Sequence, residues 1–121
     1  MSETGNCRGL ELAFCVVNDY RKLDMILEGF LELGITGATV IDARGMAQIL
    51  KEDVPIFAGL SSLFPGGNSD SHLIMSVLDS AKLDEVIKLL DDVCGDFSKP
   101  GSGILFSVPV SRVHGMADVI C

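Results

Sequence analysis

Apolar residues arrive along this chain in short runs whose period changes from segment to segment, and the period names the element. Leu10 to Val17 (LELAFCVV) is almost continuously apolar and rich in β-formers, which predicts a strand covered on both faces. Asn18 and Asp19 stop it. Leu23, Ile26, Leu27, Phe30 and Leu33 then recur at helical spacing among Arg21, Lys22, Asp24, Glu28 and Glu32. This predicts an amphipathic helix of roughly four turns that closes at Gly34. The β-branched stretch from Thr36 to Ala43 predicts a second strand.

After Gly45 the regular pattern fails. Met46 to Ser71 contains Pro55, Gly59, Pro65, Gly66, Gly67 and Asn68, and so long a connection inside a compact domain points to a functional loop. Within it, Pro55 to Phe64 places Pro at a first helical position and apolar residues at helical spacing, which predicts a short helix. The cluster Ile56, Phe57, Leu60, Leu63 and Phe64 is more than one isolated turn of helix buries by itself, so it either packs on its own oligomer or serves as a partner-binding surface, the reading preferred here.

His72 to Leu78 predicts a third strand. Ser80 is then read as the cap of a second amphipathic helix, with Leu83, Val86, Ile87, Leu90 and Val93 on one face and Cys94-Gly95 at its end. Beyond the turn-rich Asp96 to Gly103, Ile104 to Val108 predicts a fourth strand, which Pro109 confines to a sheet edge or to its own end.

The order is β-α-β, a long connection, and β-α-β again. The halves echo each other: Lys22-Leu23-Asp24 opens one helix and Lys82-Leu83-Asp84 the other. Right-handed crossovers place both helices on the same side of the sheet. The expected fold is therefore α+β, a ferredoxin-like βαββαβ sandwich with both helices on one face of a four-stranded antiparallel sheet. Because the strands are apolar on both faces, the opposite face calls for a cover, and a homo-oligomer with sheets packed inward supplies one.

A length of 121 residues with 48% hydrophobic positions suits one domain whose core needs no staple. It is read as residues 10–113, after a polar segment 1–9 and before a tail 114–121. No apolar run approaches the roughly 18 residues of a membrane span, and Met1 to Asn6 is polar, so no membrane insertion and a cytoplasmic location are expected. The four cysteines show no Cys-x-x-Cys spacing. Cys15 and Cys94 fall in apolar patterns as small hydrophobes, and all four read as reduced. A net charge of −8 with scattered basic residues argues against a nucleic-acid partner.

Candidate chemistry is sparse. Lys99-Pro100-Gly101-Ser102-Gly103 has the make-up of an anion cradle, with glycines that let backbone N–H groups converge, a hydroxyl at Ser102 and a charge at Lys99; a plain helix-to-strand turn has the same composition. His72 and His114 have no Cys, Asp or Glu at a recognised ligand spacing, so no metal site is assigned. The acidic residues lie on helix faces and caps rather than in pairs, and neither a Walker-type loop nor Gly-x-Ser-x-Gly occurs, so no enzyme is expected.

Gly34-Ile35-Thr36-Gly37-Ala38-Thr39-Val40, the following Arg44-Gly45, and the late Gly101-x-Gly103-x-x-Phe106-x-x-x-Val110-x-Arg112-Val113 resemble, in kind, order and spacing, the PII family of nitrogen-regulatory signal proteins. The resemblance implies a ferredoxin-like homotrimer with sites for an adenine nucleotide or other small effector in the clefts between subunits. It also implies a loop after the second strand, here 46–71, that docks onto a membrane transporter or a metabolic enzyme. Gly37 and Thr39 match positions that line such a cleft, and the resemblance strengthens the anion-cradle reading of Lys99, Gly101, Ser102 and Gly103. Arg44 and Arg112 are offered for the phosphate contacts of the family residues missing here, with a surface ion pair as the equal alternative for each. Ile104 stands where ATP-binding members carry Lys, and Val113-His114-Gly115 replaces further arginines, which makes the chain a divergent relative. Alternatives from other classes remain: a structural or assembly trimer without a ligand, and a small metal-handling trimer.

Overall fold

The computed structural model describes residues 9–53, 71–95 and 103–115. Strand β1 spans Leu10–Val17, and its end is marked by Asp19, whose carboxylate accepts a hydrogen bond from the Arg21 amide at 3.0 Å and opens a 3-10 turn over Tyr20–Lys22. Helix α1 follows over Leu23–Glu32. Its C-terminus closes as a Schellman motif: Gly34 N–H donates to Leu31 C=O, and Ile35 N–H reaches back to Phe30 C=O at 2.8 Å. Gly34 carries the positive φ of 84° that this motif demands, and Ile35 and Phe30 are packed in the core together.

Strand β2 spans Thr39–Ala43 and helix α2 Met46–Asp53. Strand β3 runs over Ser71–Asp79, helix α3 over Ser80–Cys94 and strand β4 over Gly103–Pro109. The strands form one sheet of order β2-β3-β1-β4 with every neighbouring pair antiparallel. This is the expected α+β, ferredoxin-like fold. Pro109 lies at the end of an edge strand, where its missing N–H costs no ladder bond.

The main core sits on one side of the sheet, and a small second cluster of Leu10 with Val77, Val110 and Val113 lies apart from it. Ala13, Cys15 and Val17 of β1 and Ile74 and Leu78 of β3 meet Ile26 and Phe30 of α1 and Leu83, Val86 and Leu90 of α3. Both helices therefore cover the same face of the sheet. The amine of Lys82, in the first turn of α3, donates to the Leu33 carbonyl at the end of α1, where a cation suits the negative end of the helix dipole. Burial pushes the Cys15 thiol up to about 12, with Cys94 adding to the shift.

Three local expectations need correction. Residues 46–53 are helical, where the sequence pattern predicts no regular element; Met46, Ala47, Ile49 and Leu50 are the apolar residues of these two turns, too short a stripe to stand out. Strand β2 starts at Thr39 rather than Thr36, because the Gly37 carbonyl is taken by the Ser76 hydroxyl at 2.6 Å instead of by a backbone ladder bond. The cap of α3 is Asp79, whose carboxylate accepts from Ala81 N–H at 3.1 Å, and Ser80 is the first helical residue. The short helix expected over Pro55 to Phe64 lies outside the described residues.

Candidate functional site

Side chains alternate across a strand, so the residues of β1 that do not face the helices point to the other side. Leu12, Phe14 and Val16 lie there. Their register partners carry the pattern across the sheet: Phe14 lies between Met75 and Phe106, Val16 between Leu73 and Ile104, and Leu12 between Val77 and Val108. On the far edge, Thr39 pairs with Met75 and Ile41 with Leu73. Apart from Thr39, every one of these positions is apolar. Phe14 and Phe106 stack at 4.9 Å between ring centroids, 16° from parallel. Ile104, Phe106, Val108 and Ile41 are 54%, 48%, 43% and 45% exposed. Strand β1, expected to be covered on both faces, is thus covered by the helices on one, while on the other only Leu10 is buried, against Val77, Val110 and Val113.

The candidate ligand residues divide between the two edges of this sheet. Gly37 lies in the connection between α1 and β2, Thr39 opens β2, and Arg44 follows it. Gly103 opens β4 and Arg112 comes just after it, on the opposite edge. At a spacing of about 4.8 Å per strand, the edges are about 14 Å apart. Gly103 and Arg112 are themselves at opposite ends of β4, since Gly103 pairs with Val17 and Val110 N–H donates to Leu10 C=O. One chain therefore does not bring these residues together. Lys99, Gly101 and Ser102, and the proposed docking residues Ile56, Phe57, Leu60, Leu63 and Phe64, lie outside the described residues.

The two described glycines of the candidate set differ in kind. Gly103 has φ of 138°, a conformation that side chains resist, so the backbone itself requires glycine there. Gly37 has no such φ, and a Cβ built on it would meet no atom within 4 Å. The space beside Gly37 is open to an approach from outside the chain.

Ser76, Glu11 and Ser107, which sequence reasoning passed over, give the rest of the local chemistry together with His72 and Ser80. Ser76, 5% exposed, holds the Gly37 carbonyl. His72 faces Asp42 directly across β3 and β2. Its Nδ1 stands 3.1 Å from the Asp42 carboxylate, near enough for charge pairing but off the line of a good hydrogen bond. The Ser80 and Ser107 hydroxyls hold the Glu11 carboxyl below its ordinary range, with Ser107 Oγ 2.7 Å from Glu11 Oε1. A cleft of about 320 Å³ between α3 and β4 is lined by Ile87, Leu90, Asp91 and residues 103–105. This lining contains no cation to receive an anion. Among the described residues, no three His, Cys, Asp or Glu side chains gather as a metal site. Among them, too, no helix is long and apolar enough to cross a membrane.

No family model matches the chain, and no curated protein matches it by sequence. Its fold does have solved relatives. A crystal structure of PII from Arabidopsis thaliana bound to citrate superimposes with a TM-score of 0.58 at 20% identity, covering 85% of this chain and 78% of that one. The glycine and arginine motifs that resemble the PII family thus stand in a chain with the fold of a PII protein.

Proposed function

We propose that this protein is a PII-like regulatory module that works as a homotrimer and binds a small effector, an adenine nucleotide, in the clefts between subunits. The observation that carries the reading is the division of the candidate residues between opposite sheet edges. Gly37 and Thr39 on the β2 edge meet residues of the β4 edge, Gly103 at one end of that strand or Arg112 beyond the other, only when a second copy supplies them. The apolar face shared by Leu12, Phe14, Val16, Met75 and Phe106 supports such an assembly, because exposed patches of this kind mark interaction sites. Closing three copies around that face buries it and sets edge against edge. The PII neighbour was solved with citrate, which supports a small anionic effector as the ligand class.

In this reading the 46–71 connection, which leaves the sheet after β2 and returns at β3, is the output element that engages a transporter or metabolic enzyme. The role is regulatory rather than catalytic and is carried out in the cytoplasm.

Isothermal titration with ATP, ADP and citrate tests the effector site. The wild-type chain is expected to bind ATP, and Gly37→Val to lose that binding at unchanged melting temperature, because the added bulk enters space that is open within the chain. Absence of ATP binding, or unchanged ATP binding by Gly37→Val, overturns the reading.

A further inference from the structure

Ser76 is a polar side chain in an apolar place. It lies in the middle of β3 between Ile74 and Leu78, on the face the helices cover, and is 5% exposed. A hydroxyl buried there loses its water and needs a partner. That partner is the carbonyl of Gly37, at 2.6 Å.

The bond joins two parts of the chain that the sheet ladder does not join. The β2–β3 pairing starts only at Thr39 and Met75, so Gly37 is ahead of the first rung. The same connection is tied at its other end by Ile35 N–H to Phe30 C=O. Between these two anchors the Ser76 hydroxyl fixes the peptide that presents the open side of Gly37.

We infer that Ser76 is the positioning residue of the effector cleft: its hydroxyl holds the Gly37 peptide, and with it Thr39, in the conformation that receives the ligand. The inference rests on the effector site proposed above. It concerns a residue that touches no ligand, since Ser76 points into the helix-covered core while Gly37 and Thr39 form the edge. Without the hydroxyl the Gly37 carbonyl loses its buried partner, and the 35–38 connection samples other conformations before ligand binding selects one.

The test is ATP titration of four proteins: wild type, Ser76→Ala, Ser76→Thr and Gly37→Val, with amide hydrogen exchange followed over residues 35–39. Ser76→Ala is expected to weaken ATP binding about tenfold, the equivalent of one such hydrogen bond, and to speed exchange in 35–39. Ser76→Thr, which keeps the hydroxyl on a β-branched residue suited to a strand, is expected to restore both. If Ser76→Ala binds ATP as the wild type does while Gly37→Val does not, the site stands and the role of Ser76 is refuted. Equal loss of binding in Ser76→Ala and Ser76→Thr also refutes it, because core packing rather than the hydroxyl is then responsible. If the wild type does not bind ATP, or Gly37→Val binds it normally, the effector site itself fails and the inference fails with it.

Discussion

Gly29 of α1 lies directly against Leu89 of α3: a Cβ on Gly29 would fall 2.5 Å from one methyl of Leu89 and 2.6 Å from the other. The two residues hold equivalent places in the two halves, each a turn and a half beyond the repeated Lys-Leu-Asp. The close approach of the helices over the sheet is thus built from one large and one absent side chain. Gly29→Ala gains about 1 kcal/mol of helix propensity but overpacks the crossing, which costs about 1–3 kcal/mol. The expected net effect is a loss of about 1 kcal/mol by urea denaturation. In a Leu89→Ala background the same substitution is expected to stabilise, and a double-mutant cycle measures the coupling.

The open sheet face makes a second prediction. Phe106 stacks on Phe14 and is half exposed within one chain, so a charge there costs the fold little and an interface much. Phe106→Glu is expected to give a folded species of 12.9 kDa with unchanged far-ultraviolet circular dichroism. An oligomer of undiminished mass would show that this face is not the interface.

Helix capping makes a third. Asp79 accepts from Ala81 N–H as Asp19 accepts from Arg21 N–H, which leaves each first turn dependent on one carboxylate. Asp79→Ala is expected to cost about 1 kcal/mol of stability, and Asp79→Asn, which keeps the acceptor, a small fraction of that.

The Cys15 thiol makes a fourth, at alkaline pH. Burial raises it from 9.0 to about 12 in the folded chain, so the unfolded chain releases its proton first as pH rises. Stability from this group is fully present below pH 9 and is lost progressively towards pH 12, at about 1.4 kcal/mol per unit in that window. Denaturation midpoints at pH 8, 9 and 10 are expected to fall in the wild type and to fall less in Cys15→Ala. In the folded protein at pH 8, Cys15 is expected to resist alkylation.

Much of the fold was legible because periodicity and punctuation agreed. β1 runs over Leu10–Val17 as its apolar run predicts, and Gly34 ends α1 as a positive-φ cap. The two-faced apolar strands announced a sheet with one side left uncovered by the helices. What stayed hidden depended on partners distant in sequence. Thr36 to Ala38 have strand-like composition, yet the bond that decides their path comes from Ser76. The capping bond of α3 goes to Asp79, one residue before the Ser80 that the sequence suggests. The candidate site was legible as motifs but not as a place, since nothing local states that Gly37 and Gly103 lie on opposite edges; the order β2-β3-β1-β4 decides that.

Native mass spectrometry of the full chain, recorded with and without ATP, tests the central claim most directly. The account predicts a trimer of 12.9-kDa chains that takes up nucleotide, one for each cleft between neighbouring subunits. A 12.9-kDa monomer, or a trimer that takes up no nucleotide, would contradict it.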